Sequence, residues 1–388
     1  MMLTTPELRI GMVVGEISGD ALGAKLVTAL RLKMPDRSLV FFGTAGPSMQ
    51  SVGLKSLFPL EDIAVMGIVP VLKRLPSLLR RIRETADALI AFRPDILIII
   101  DSPDFTHRVA KRFRAALPQT PIVDYVSPTV WAWRPGRAKA MAAYVDHVLA
   151  ILPFEPAAHL RLNGPPCTYV GHPLIERLDE LRPSHEETIL REKEPPCVVV
   201  LPGSRRSEIS RLLPTFRDTL VQTQQAYGAP INFVLPAVDH LRAAIEEAIR
   251  DWTVKPRLVS GEFEKYRAFR RAKAALAASG TVTLELALAH VPMAVGYRVG
   301  AVEGQIRHLI NVPSIVLANL IIGENVIPER IQGKCNSEQL TSDLLPLLAD
   351  TAQRKRQIEG FSRLDGAMAI GGSSPSKKAA DVISGLLA

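Results

Sequence analysis

A chain of 388 residues is too long for one ordinary hydrophobic core and suits two domains of about 190 residues each. With 47% hydrophobic and 22% charged residues it is a globular chain, which excludes a disordered one, and its formal charge of +8 favours an anionic partner: nucleotide phosphate, nucleic acid or an anionic membrane surface. The three cysteines, Cys167, Cys197 and Cys335, are far apart and form no CxxC pair, which argues against a disulfide framework or a zinc site and suits a reducing cytosol.

In chain order, short apolar runs alternate with amphipathic ones. The first half predicts strands at Leu8–Val14, Leu39–Gly43, Asp95–Asp101, Ile122–Val126 and Val145–Ile151, with helices near 20–33, 71–91, 104–116 and 135–143. Buried parallel strands read as continuous β-branched runs, and Ile96-Leu97-Ile98-Ile99-Ile100 is the clearest of them. After Gly171-His172-Pro173 the chain turns polar through Glu194, and Pro195-Pro196 then opens a new strand, Cys197–Leu201. The same alternation restarts, with strands at 231–235, 257–259, 274–278 and 293–297. Strand–helix alternation implies right-handed βαβ units, so the expected fold is α/β with two doubly wound, Rossmann-like domains. The boundary falls near 172–195; we take the domains as 1–180 and 181–388. The N-terminus reaches an apolar strand within a few residues without a signal-peptide pattern, and no apolar stretch approaches the roughly 20 residues of a spanning helix. Any membrane association is therefore expected to be peripheral.

Both halves begin with an apolar strand, a glycine-containing turn and a helix: VVGEISGD at 13–20 and VVLPGSRRSE at 199–208. Such turns aim backbone N–H groups and the positive end of a helix dipole at one spot, where an anion can sit. Neither turn matches GxGxxG or GxxxxGK[ST], which counts against ordinary dehydrogenases and P-loop nucleotide triphosphatases.

Several longer segments carry a resemblance. GEISGD (15–20), AVMGIVPVL (64–72), DSPDF (101–105), VSPTVWAWR (126–134), LPFE (152–155), VGHP (170–173), LPGSR (201–205) and ASGTVTLE (278–285) stand in the order and spacing of lipid-A-disaccharide synthases, from about residue 8 to about 335. The resemblance implies a GT-B architecture, two Rossmann-like domains facing across a cleft. It implies transfer of 2,3-diacylglucosamine from UDP to the 6-hydroxyl of 2,3-diacylglucosamine 1-phosphate, with inversion at the anomeric carbon. It also implies a cytoplasmic enzyme peripheral to the inner face of the bacterial inner membrane, and a homodimer in which the tail after about 340 packs away from its own second domain, on the N-terminal one. Nucleic acid is not an expected partner, and neither a metal nor another cofactor is expected, since no DxD triplet or His/carboxylate cluster is visible. In one place the chain departs from many relatives. Asn319 is followed by Leu320-Ile321-Ile322-Gly323-Glu324 where they place Gly-Arg, so another cation must serve the diphosphate.

Within that frame the candidate residues can be assigned. Asp101 ends the most apolar strand of the first half and is the candidate general base for the acceptor hydroxyl, with Asp104 as the helix cap beside it. Glu16, in the first glycine turn, either contacts the acceptor, orients Asp101 or favours the helix start. Gly203, Ser204 and Arg205, with Ser279, Gly280 and Thr281, are expected to receive the diphosphate. Glu285 is out of register for a capping box, which needs Glu three residues after the cap, and is expected to accept hydrogen bonds from ribose hydroxyls. Asn319 is a candidate polar contact in the same site. Trp131, Trp133 and Arg134 either line the acceptor pocket or pack at a domain edge. The segment 66–84 sets Leu72, Leu75, Leu79 and Ile82 at helical spacing beside Lys73, Arg74, Arg80 and Arg81, the pattern of an interfacial helix on anionic lipid; a core helix with a basic outer face is the alternative. Two other functions fit less of the sequence: a UDP-sugar 2-epimerase, which leaves 66–84 without a purpose, and a non-enzymatic nucleotide-sugar sensor at the membrane, which leaves Asp101 without a task.

Overall fold

The computed structural model describes residues 7–63, 68–300 and 312–387, and for residues 68–74 the backbone alone. The chain forms two compact units, Met1–Ile175 with Ile370–Ala388, and Glu176–Ala369.

The first unit is built on six parallel strands: β1 Glu7–Val14, β2 Ser38–Thr44, β3 Ile96–Ile100, β4 Ile122–Tyr125, β5 His147–Ala150 and β6 Cys167–Tyr169, in the order β2-β1-β3-β4-β5-β6. All five residues of β3 are buried, as a central strand covered on both faces requires. The five strands expected from the apolar runs are present with small shifts at their ends. β6 was not expected, because its three half-buried residues, Cys-Thr-Tyr, make no apolar run. The helix Pro375–Leu386 packs on the helix Ile17–Lys33 and adds Ala379, Ala380 and Ile383 to the same hydrophobic core. The preceding helices Ser337–Leu344 and Ala352–Met368 stay with the second unit.

The second unit repeats the plan with β7 Cys197–Leu201, β8 Asn232–Ala237, β9 Arg257–Ser260, β10 Ala274–Ala278, β11 Met293–Tyr297 and β12 Glu329–Ile331, ordered β12-β11-β10-β7-β8-β9. Its pairings are again all parallel. The edge strand β12, three partly buried residues, is the one strand here that the apolar pattern does not announce. A core of β-strand valines, Leu235 and Leu276 closes against Leu212, Phe216 and Leu220 of the helix Arg206–Tyr227.

Both units are therefore doubly wound α/β sheets. In such sheets ligands bind beyond the carboxyl ends of the strands, at the point where strand order reverses. That point lies between β1 and β3 in the first unit and between β7 and β10 in the second.

Candidate functional site

In the first unit the reversal brings together the turn after β1, Gly15-Glu16, with the start of the helix Ile17–Lys33, and the turn after β3, Asp101-Ser102. Asp101 and Ser102 both adopt the left-handed backbone region, with φ of 56° and 49°. Non-glycine residues held there cost about 1–3 kcal/mol each and persist only where the surroundings over-determine them. The surroundings here do so. The Ser102 N–H donates to Asp101 Oδ1 at 2.7 Å, the Thr106 hydroxyl donates to the Asp101 carbonyl at 2.7 Å, and the Asp101 N–H donates to the Tyr125 carbonyl at 3.1 Å. Gly15 is required by close approach, because a Cβ there would lie 2.4 Å from the Cβ of Ser102. Ser18 donates its hydroxyl to Asp101 Oδ2 at 3.1 Å, and Ser102 donates its hydroxyl to Glu16 Oε1 at 3.2 Å. Glu16 and Asp101 are thus joined through Ser102, and the Asp101 carboxylate is oriented by a donor on each oxygen.

The neighbouring carboxylates have other work. Asp20 is fully buried and accepts from the N–H groups of Gly46, Ser48 and Met49, closing the start of the helix Pro47–Ser51. Asp104 is not the helix cap. Ser102 occupies the N-cap position of the helix Pro103–Ala116, and Asp104 lies exposed in the first turn, 3.3 Å from the Arg137 guanidinium. The Pro103 ring at the first position fixes φ for the helix start, and the cap lies two residues further back than composition suggested. His107 is buried against Tyr144, at 3.0 Å, and Asp124, at 3.3 Å. Trp131 packs edge-on against Phe154 and donates its indole N–H to buried Glu155 at 3.2 Å; burial pushes the Glu155 carboxyl up to about 7.

In the second unit one cavity of about 670 Å³ opens between the turns after β7 and β10. Gly203, Ser204, Arg205, Ser279, Gly280, Thr281 and Glu285 all line it. So do the N-cap residues of three helices: Arg205 for Arg206–Tyr227, Gly261 for Glu262–Arg271 and Gly280 for Thr281–Leu288. Each such terminus carries roughly half a positive charge on N–H groups that lack helical partners, so their convergence favours an anion. Gly203, at φ 111°, permits the turn and the approach of Glu208, since a Cβ there would stand 2.7 Å from Glu208.

The cavity also shows pairings that the motifs did not announce. Glu208 accepts from the N–H groups of Ser204 and Arg205, at 3.2 and 3.3 Å, and pairs with the Arg205 guanidinium at 3.3 Å. It is the partner that lets a cation sit at a helix N-terminus. Glu285 is buried and accepts from Lys265 at 3.0 Å on both oxygens and from the Tyr266 hydroxyl at 3.3 Å. Arg205 and Lys265 are the cations among the described lining residues, facing Glu208, Asp239, Glu262 and Glu285. A Lys and a Tyr on an unremarkable polar helix leave no sequence signal until the helix is docked.

Two further expectations, for Asn319 and Arg81, are corrected. Asn319 is not a free contact: its Oδ1 accepts from the N–H groups of Val326 and Ile327, and its Nδ2 donates to Ser314 Oγ and the Ile327 carbonyl, so a buried amide fastens the loop 314–327. Glu324 beyond it is held by Arg356 and Arg363, both at 2.7 Å. Ser279 lines the cavity, where its hydroxyl donates to the Ile315 carbonyl at 2.7 Å. Arg81 is not a free membrane cation. It pairs with Asp62 and Glu84 and lies 4.5 Å over the Phe58 ring, while Ile82 is buried in the core. The helix Ile68–Phe92 leaves Arg80 exposed with Leu75 and Leu79, and the side chains of Lys73 and Arg74 lie outside the described residues.

Two doubly wound α/β units, the second with a cavity at its strand reversal, define the fold class shared by two-domain glycosyltransferases and UDP-sugar epimerases. A UDP-GlcNAc 2-epimerase from Neisseria meningitidis, solved with UDP-GlcNAc, superposes with a TM-score of 0.55 over 98% of this chain and 99% of its own at 12% identity. MurG from Acinetobacter baumannii does so with a TM-score of 0.56 over 97% and 99% at 13% identity. These likenesses are of fold alone. The sequence is more specific. The family model described as lipid-A-disaccharide synthetase matches residues 10–378. The lipid-A-disaccharide synthase of Rhodopseudomonas palustris is 56% identical over 98% of this chain and 96% of its own length, and that of Nitrobacter hamburgensis is 55% identical over 97% and 94%. The chain belongs to the lipid-A-disaccharide synthetase family.

Proposed function

We propose that the protein transfers 2,3-diacylglucosamine from its UDP conjugate to the 6-hydroxyl of 2,3-diacylglucosamine 1-phosphate. The products are the β-1,6-linked disaccharide 1-phosphate and UDP. Family membership along nearly the whole chain carries this reading. In it, the acceptor oxygen attacks the anomeric carbon from the face opposite the diphosphate. The bond from that carbon to the diphosphate oxygen breaks, and the hydroxyl proton passes to Asp101. A carboxylate oriented by Ser18 and the Ser102 N–H suits such a base, and Glu16 steadies the turn through Ser102. UDP occupies the cavity of the second unit, where the helix N-termini at Arg205 and Gly280, with Arg205 itself, stabilise the charge that builds on the leaving diphosphate. Glu285 accepts from the ribose. The exposed Arg80 and the leucines beside it meet the membrane from which acylated sugars must be drawn, since each methylene leaving the bilayer costs about 0.8 kcal/mol.

The test is direct. Purified protein mixed with both acylated substrates yields the disaccharide 1-phosphate and UDP in equal amounts by mass spectrometry. Hydrolysis of the donor without disaccharide, or epimerisation of UDP-GlcNAc in its place, overturns the reading.

A further inference from the structure

Glu285 is held by more than its own helix. On the helix Glu262–Arg271, Glu262, Lys265, Tyr266 and Phe269 follow the spacing that puts side chains on one face. The Lys265 ammonium lies 4.7 Å from the Tyr266 ring centroid and 5.8 Å from that of Phe269. Those contacts fix a stem that is otherwise flexible. From there it donates to both oxygens of Glu285. The Tyr266 hydroxyl stands 3.3 Å from Glu285 Oε1 and 3.1 Å from Glu262 Oε1, with one proton to share between them. Burial, reinforced by the charge of Glu285, pushes the Tyr266 phenol up, so it remains a donor. Glu262 is kept ionised by Arg177, whose hydrogen bond holds it below the usual carboxylate range.

An ionised carboxylate has about four acceptor positions, two on each oxygen. Lys265 takes one on each, and the Tyr266 hydroxyl addresses the second on Oε1. Among the described residues, nothing takes the second on Oε2. We propose that Lys265 is a positioning residue that holds the Glu285 carboxylate so that one acceptor position, on Oε2, is left for a single ribose hydroxyl of the donor nucleotide. The Glu285 and Lys265 side chains are 12% and 25% exposed, so removing the ammonium strands a largely buried charge and frees the carboxylate to turn. This inference rests on the nucleotide reading of the cavity.

Calorimetry on the full chain with UDP, 2′-deoxy-UDP and 3′-deoxy-UDP tests it. In the wild type, one analogue binds roughly ten- to a hundredfold more weakly than UDP, as loss of a hydrogen bond to a charged group implies, and the other stays within about threefold. Glu285→Gln narrows the gap. Lys265→Met closes it to within about threefold while UDP still binds, and Lys265→Arg, whose fork matches a carboxylate, restores most of it. A gap that persists or widens in Lys265→Met, or equal losses for both analogues in the wild type, overturns the proposal. If Lys265→Met fails to fold, the wild-type analogue pair and Lys265→Arg decide: equal losses, or an Arg variant without the gap, also overturn it. A wild type that binds no UDP at all sinks the nucleotide reading itself and is thereby distinguished from a failure at Lys265.

Discussion

Asp101 and Asp104 stand three residues apart and present the same functional group, yet their surroundings separate them. Asp101 sits on a strained turn with a donor on each carboxylate oxygen, at the reversal point of the sheet. Asp104 is exposed and paired with Arg137. A general base contributes about 10²–10⁴-fold, and an amide cannot accept a proton at neutral pH. Asp101→Asn should therefore lose turnover by that order with substrate binding retained. Asp104→Asn loses only an exposed ion pair of about 0–1 kcal/mol and should keep most activity. Steady-state rates on the two variants check this; near-normal turnover in Asp101→Asn moves the base to Glu16 or Asp104.

At the scale of the element, the helix Ile68–Phe92 divides its arginines. Arg81 is bound into the first unit through Asp62, Glu84 and Phe58, whereas Arg80 is exposed one residue away. Spacing alone put both on a basic stripe; docking turned one of them inward beside Ile82. Replacing Lys73, Arg74 and Arg80 together with Ser, and leaving Arg81, should weaken sedimentation with anionic vesicles. At about 1 kcal/mol per basic residue near the surface, the loss is roughly 100-fold in partitioning. Turnover in detergent should stay near wild type, because the bracing arginine is kept. Undiminished vesicle binding would place the membrane contact elsewhere.

For the whole molecule, the proposed diphosphate contacts come from one unit alone, the helix N-termini at Arg205 and Gly280 with Arg205 itself, lining a single cavity. Charge stabilisation of that kind is supplied by the protein, so excess EDTA should leave disaccharide formation nearly unchanged. A large loss restored by Mg²⁺ would show that the protein's own positive groups are insufficient. The sequence by itself determined the class of this molecule. Continuous β-branched runs such as 96–100 can satisfy their apolar faces only as buried parallel strands, and the restart after Pro195-Pro196 announced a second sheet. It also determined the family, because segments such as VSPTVWAWR and ASGTVTLE are long and unusual. Tertiary structure alone decided matters that depend on partners distant in the chain. The edge strands β6 and β12 have too few apolar residues to be read locally and exist because a neighbouring strand offers them hydrogen bonds. Asn319 read as a ligand contact, but its amide is saturated by a loop that folds back over it. Lys265 belongs to no motif of the sequence, and its part in the site follows only from Glu285, twenty residues further on, standing within 3.0 Å. Periodicity reports which face of an element is apolar; it carries no information about which polar groups on two faces will meet, and that meeting made the site.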